Sequence, residues 1–291
     1  MTVTGRTMEP VHVNGSVHTK AKVVFIMGPT GCGKTKLSID LATHYGGEVI
    51  NSDKIQAYKG LDIVTNKATE SEQRGIRHHL LGFVEDPVAD FSVDEFCRRV
   101  QTSIDEITRR NCLPIIAGGS NSYIEALIED PVIEFRNKYD CCFIWLDVSL
   151  PVLYNRVSKR VDEMVAAGLV DELREMFAPG VNYDGGIRRA IGAPEMHPYF
   201  MAEMNNNIVD GDKVRKEFLL KDGIWKTKEN TCKLAERQVH KIQLLSDKWD
   251  IHRIEVTAVH ENCGKEAVVA WETLVLKPSF TIVDVFLKKD G

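Results

Sequence analysis

The sequence predicts an α/β fold: a parallel sheet flanked by helices, with a smaller helical lobe beside it. Three observations carry that prediction. Apolar runs of strand length recur at Val23–Met27, around Val49-Ile50, at Leu113–Ala117 and at Cys141–Val148. Stretches of helical period lie between them, the alternation that covers a parallel sheet on both faces. The first run also enters a glycine-rich turn, Gly28-Pro29-Thr30-Gly31-Cys32-Gly33-Lys34-Thr35, followed by Leu37, Leu41 and Tyr45 at four-residue spacing.

That turn has the pattern G-x-x-x-x-G-K-T, placed between a buried strand and a helix as the pattern requires. A chance match in a glycine-rich turn would not bring strand, loop and helix into register. Gly31 and Gly33 let the backbone wrap an anion with its N–H groups pointing inward, and the helix N-terminus adds partial positive charge. Lys34 supplies a full charge, and the Thr35 hydroxyl can reach a magnesium ion bridging phosphates. The core is therefore P-loop NTPase-like. The loop holds a diphosphate or polyphosphate without saying whose.

The totals bound the rest. A chain of 291 residues, 43% hydrophobic and 27% charged, is long enough for a large core with an appended lobe. A net charge of −5 gives no global attraction to nucleic acid. The seven cysteines, Cys32, Cys97, Cys112, Cys141, Cys142, Cys232 and Cys263, form no C-x-x-C pair, which argues against a disulfide framework or a zinc finger. No apolar run is long enough for a membrane span. Residues 1–20, polar and turn-rich, read as a flexible N-terminal arm or the stub of a transit peptide.

Along the chain, Glu48 to Asp53 reads as a second strand ending on a carboxylate. Strand ends near a phosphate loop are where α/β proteins place reactive groups, so Asp53 is a candidate base; a turn-capping aspartate is the alternative. His78 and His79 read as structural rather than catalytic. Ser92 and Glu95 form an expected capping box for a helix whose apolar face is Val93, Phe96, Val100, Ile104 and Ile107. Gly118-Gly119-Ser120 closes the next strand, either for close approach to a ligand or as a plain tight turn. Arg156 and Arg160, four apart on the helix after Cys141–Val148, share a face that closes over an anion or is simply solvated. The expected units are a core domain at 21–180, a helical acceptor-binding lobe at 181–250 and a C-terminal tail at 251–291.

Together these stretches resemble the isopentenyltransferase family, and within it the plant adenylate isopentenyltransferases. The carrying residues are GPTGCGKT (28–35), INSDKIQAYKGLDIVTNK (50–67), GIRHHLLG (75–82), PIIAGGSNSYIEAL (114–127), YDCCFIWLDV (139–148), RVDEMVAAGLVDEL (160–173), GIRRAIGAPE (186–195) and NTCKLAERQVHKI (230–242). The resemblance implies that the loop, Pro29 to Thr35, grips the diphosphate of dimethylallyl diphosphate. The adenine N6 amine then attacks C1 of the prenyl group and pyrophosphate leaves. It implies Asp53 as the base, with Lys34, a Thr35-bound magnesium and Arg160 stabilising charge on the leaving group. Ser120, where many relatives carry threonine, would line the prenyl channel or contact the diphosphate. Ser52, Arg188, Arg189, Lys228 and Arg237 are the candidates for holding the acceptor.

The family divides by acceptor, a free adenine nucleotide or an adenine of tRNA. Only about twenty residues separate Tyr123 from Phe143, too few for the long helical insertion of the tRNA-modifying members, and residues 251–291 hold no C2H2 pattern. The expectation is therefore ATP, ADP or AMP as acceptor, with no nucleic acid or membrane partner. A tRNA dimethylallyltransferase, a small-molecule kinase and a nucleotide-binding switch are the competing readings. The order among the nucleotides stays open, as does the choice between dimethylallyl and hydroxylated donor. Cytosol or plastid stroma is the expected location. The sequence is silent on oligomeric state and compatible with a monomer.

Overall fold

The computed structural model describes residues 20–205 and 211–289; apart from Lys20, the expected N-terminal arm lies outside them. Six parallel strands are described: β1 (Ala21–Met27), β2 (Gly47–Asn51), β3 (His78–His79), β4 (Leu113–Ala117), β5 (Tyr139–Asp147) and β6 (Ile251–Glu255). Their order is β3-β2-β4-β1-β5-β6. The helices are α1 (Lys34–Tyr45), α2 (Glu70–Gln73), α3 (Val93–Arg109), α4 (Asn121–Glu129), α5 (Phe135–Lys138), α6 (Leu150–Ala166), α7 (Leu169–Met176), α8 (Ala193–Met204), α9 (Gly211–Ser246), α10 (Thr257–Glu261), α11 (Gly264–Trp271) and α12 (Lys277–Lys288).

The central strands are apolar on both faces, as a helix-covered parallel sheet demands. In β1, Val23, Phe25 and Met27 join the core on one side, with Ile104, Ile107 and Ile124 of α3 and α4. Val24 and Ile26 join the core on the other, with Leu37 and Leu41 of α1 and Leu153 and Val157 of α6. The predicted four-residue spacing in α1 is thus its buried stripe. At the start of α3, Ser92 Oγ accepts the Glu95 N–H at 3.1 Å. Only that half of the capping box forms, because the Glu95 carboxylate pairs with Arg98 and Arg99.

The strand order does the positioning. β4 lies between β1 and β2, with Ala117 in register with both Ile26 and Asn51. The next residues of the three strands are Met27-Gly28, Ser52-Asp53 and Gly118-Gly119. Phosphate loop, candidate base and glycine turn therefore emerge side by side at the carboxyl edge of the sheet, where open α/β sheets place ligands.

Two regions differ from the sequence reading. The charged helix expected at Glu229–Leu245 is the end of a much longer one, α9, which packs against both α8 and α6. Residues 251–289, set apart above as a tail, are built into the core. β6 pairs with β5, Leu146 opposite Ile254, and Trp271, Val275 and Val283 enter the core around α1. A short edge strand and helices interrupted by a π turn at Glu272–Leu276 give weak periodicity, so their place in the sheet was not readable.

Of the paired histidines, expected to be structural, His79 joins an ion-pair cluster and His78 Nδ1 lies 2.9 Å from Ile76 O. His79 Nε2 lies 2.6 Å from Glu48 Oε2, and Arg110 donates to both Glu48 oxygens at 2.8 Å. Burial alone would raise the Glu48 carboxyl, but hydrogen bonds from Arg110 and His79 hold it down at about 2. This cluster closes the edge between β2, β3 and the end of α3.

Candidate active site

The phosphate loop is fixed by what surrounds it. Gly33 has φ 102°, a left-handed conformation that side chains resist, and a Cβ there would lie 2.9 Å from the Trp271 ring. Trp271 is held in turn by its Nε1–H, which donates to Asp40 Oδ2 at 3.0 Å. The Cys32 thiol is fully buried and its pKa is raised by burial, with Lys34 opposing. The Cys32 N–H donates to Pro29 O at 3.4 Å, so the thiol packs inward while the backbone closes the turn. Lys34 Nζ also donates to Pro29 O, at 2.8 Å, and so lies folded over the loop. Thr35 is exposed in the first turn of α1, where the N–H groups have no partner within the helix.

From α6, Arg160 Nη2 donates to Thr30 Oγ1 at 2.7 Å, while its Nε has no partner although buried. Burial lowers the guanidinium to about 10, and Arg156 pushes the same way; it stays cationic at neutral pH. A half-buried cation with a buried, unused donor beside a glycine loop is suited to an anion that would complete its contacts. Arg156 stands alongside, its Cγ 3.9 Å from where a Gly31 Cβ would sit and its guanidinium 3.5 Å from Glu163. The shared face read from the sequence is directed at the loop.

Asp53 forms the turn cap considered for it and keeps one carboxylate oxygen outside that cap. Its Oδ1 caps the following turn, accepting N–H groups of Ile55 at 3.0 Å and Gln56 at 3.4 Å. Its Oδ2 is turned the other way, 3.2 Å from where a Gly119 Cβ would sit. The cap fixes the carboxylate and leaves one oxygen for chemistry. Ser120 lies nearby, but its Oγ accepts the Lys54 N–H at 2.9 Å and its own N–H donates to Ser52 O at 3.1 Å. Ser120 therefore ties the glycine turn to the Asp53 loop, with its hydroxyl proton still available. Ser52 Oγ is buried without a partner.

The acceptor candidates do not converge in this way. Lys228 pairs with Asp162 of α6 at 2.6 Å. Arg188 is half-buried, its Nε without a partner, and Arg189 and Arg237 are exposed. Lys228 and Arg237 are separated by about 13 Å along α9 at the usual helical rise.

Three residues near the site were missed. Gln238 of α9 is buried: its Oε1 accepts the Thr30 N–H at 2.7 Å, and its Nε2 donates to Gly119 O at 2.9 Å. The signal was present, since Leu234, Ala235, Gln238, Val239 and Ile242 form one stripe of helical period in which Gln238 is the polar member. Trp271 and His260 brace the loop from the C-terminal region. His260 lies against the Cys32 backbone, its pKa lowered by burial while that backbone contact raises it. No local pattern could have found those two. Among the described residues no group of three or more His, Cys, Asp or Glu could hold a metal.

A glycine-rich loop and a fixed carboxylate side by side at the carboxyl edge of a six-stranded parallel sheet covered by helices make the architecture P-loop NTPase-like. The model of the IPP transferase family matches residues 56–138 and 131–242. Adenylate isopentenyltransferase 5, chloroplastic, of Arabidopsis thaliana is 52% identical over 271 residues, covering 92% of this chain and 81% of its own. Adenylate isopentenyltransferase 7, mitochondrial, of the same plant is 50% identical, covering 98% and 86%. Among solved structures, a eukaryotic dimethylallyltransferase acting on tRNA superposes with TM-score 0.76 at 24% identity, covering 93% of this chain and 80% of that one. The tRNA isopentenylpyrophosphate transferase of Bacillus halodurans gives 0.68 at 25% identity, covering 91% and 99%. The chain belongs to the IPP transferase family and groups with the plant adenylate isopentenyltransferases.

Proposed function

We propose that this chain is an adenylate dimethylallyltransferase, moving the prenyl group of dimethylallyl diphosphate to N6 of adenine in ATP, ADP or AMP, with release of pyrophosphate. The observation that carries the reading is the placement of Asp53: one oxygen locked in a turn, the other beside Gly119, on the strand end next to the phosphate loop. A kinase needs the same loop, but the similarity to adenylate isopentenyltransferases runs through both the loop and the Asp53 segment.

The adenine N6 lone pair is delocalised into the ring, so the amine is a poor nucleophile. Asp53 Oδ2 accepts its proton as the N6–C1 bond forms and the C1–O bond to the diphosphate breaks, a contribution of about 10²–10⁴-fold. The leaving pyrophosphate keeps both bonding electrons, and Lys34, Arg160 and the loop N–H groups stabilise its charge. Thr35 suits magnesium, which binds through one or two protein oxygens plus substrate phosphates rather than an all-protein cage. When bound there, the ion offsets charge on the diphosphate oxygens.

A free nucleotide is favoured over tRNA by the relatives' names and by the span between β4 and β5, which holds only α4 and α5. No helix among the described residues is long and apolar enough to cross a membrane. One relative is named chloroplastic and another mitochondrial, which adds the mitochondrion to the plastid stroma and cytosol expected above.

The test is incubation with magnesium, dimethylallyl diphosphate and, separately, ATP, ADP, AMP and unmodified tRNA, with products read by mass spectrometry. The expected result is an N6-prenylated nucleotide in at least one free-nucleotide reaction. Product only with tRNA would transfer the chain to the second acceptor class.

A further inference from the structure

The reaction needs the leaving diphosphate and the proton acceptor at a fixed separation, yet they sit on different strands of the sheet. One side chain joins the two. Gln238 reaches down from α9 and uses both ends of its amide, Oε1 to the Thr30 N–H of the phosphate loop and Nε2 to the carbonyl of Gly119. The exposed side chains around it on the helix, Lys233, Glu236, Arg237 and His240, face solvent.

The geometry at Gly119 shows how close the groups are. A methyl group built there would lie 2.5 Å from Gln238 Nε2 and 3.2 Å from Asp53 Oδ2. The second glycine of the turn is thus explained by the amide and the carboxylate meeting over it. On the loop side, Thr30 is held twice, its N–H by Gln238 and its hydroxyl by Arg160. An unbroken path runs from Arg160 through Thr30 and Gln238 to Gly119, which adjoins the free oxygen of Asp53.

We propose that Gln238 is a positioning residue that sets the distance between the diphosphate cradle and the Asp53 carboxylate. It rests on the prenyl-transfer reading above. Only a side chain with one acceptor and one donor meets both partners. Glutamate has the same shape but turns an acceptor toward the Gly119 carbonyl. Loss of the strut leaves the loop's other N–H groups, Lys34 and Arg160 in place to bind diphosphate. What it removes is the alignment, and misplacement by about 1 Å costs on the order of 10²-fold in rate.

The experiment is steady-state kinetics on wild type, Gln238→Ala and Gln238→Glu, with pyrophosphate affinity by calorimetry and folding by thermal melts. Gln238→Ala is expected to lower kcat by about 10–100-fold while KM for dimethylallyl diphosphate and pyrophosphate affinity stay within about threefold. In Gln238→Glu, burial and the neighbouring Asp53 favour the protonated carboxyl, which can donate to Gly119 O. Its kcat relative to wild type is therefore expected to climb several-fold as pH falls from about 8 to about 6. A folding-only role would not produce that pH-dependent recovery. A kcat within twofold of wild type in Gln238→Ala, or a flat ratio across pH in Gln238→Glu, overturns the proposal. An active wild type matched by the variants removes Gln238 alone. A wild type that makes no prenylated nucleotide removes the functional reading and this role with it.

Discussion

The two halves of the site are built differently. On the donor side, Arg160 and Gln238 both hold Thr30 of residues 28–35, Gln238 joins it to Gly119, and Asp53 adjoins Gly119. On the acceptor side, Arg188, Arg189, Lys228 and Arg237 are spread over a 3₁₀ turn and more than two turns of α9, two of them exposed and one committed to Asp162. The donor half is preorganised for one charged group in one orientation. The acceptor candidates are dispersed cations with no shared contact.

From that contrast, substitutions on the donor side are expected to act strongly and those on the acceptor side weakly. Asp53→Ala should give the largest effect, a fall in kcat of about 10²–10⁴-fold with pyrophosphate binding retained, measured by single-turnover kinetics and calorimetry. Near-normal turnover would remove Asp53 from the mechanism. Next, Lys34→Ala should weaken pyrophosphate binding by about 10–100-fold, the cost of one charge-assisted contact. Arg237→Ala and Arg189→Ala should raise the nucleotide KM by less than about fivefold, as exposed charges do. An acceptor arginine as costly as Lys34 would break the comparison and mark a formed phosphate site.

The smallest effect on activity belongs to the edge cluster. Glu48 titrates at about 2 in the folded chain, below its ordinary value near 4.5. Its stabilisation is therefore fully present above pH about 4.5 and lost as pH falls toward 2. Glu48→Gln should lower the Tm at neutral pH and flatten the decline of Tm between pH about 5 and 3, with kcat little changed.

The glycine loop and the strand end beside it were legible in the sequence because their geometry is coded locally. Glycines, Lys34 and Thr35 are coded by spacing along a single loop, and Asp53 by its position at a strand end. Thr30, expected at the diphosphate, proved also to be the point gripped by Arg160 and Gln238. That grip, and the bracing by Trp271 and His260, join segments far apart in the chain, so no spacing rule records them. The acceptor residues were assigned from charge and resemblance alone. Charge on a helix surface does not say which way a long side chain turns.

The central claim is that the phosphate loop clasps the donor's diphosphate and leaves ATP, when ATP is the acceptor, with its phosphates intact. The direct measurement follows γ-labelled ATP in a reaction with dimethylallyl diphosphate and magnesium. The account predicts that the label stays on the nucleotide that gains the prenyl group, and that the pyrophosphate released is unlabelled. Label appearing in pyrophosphate, or on any acceptor other than the nucleotide itself, would contradict it.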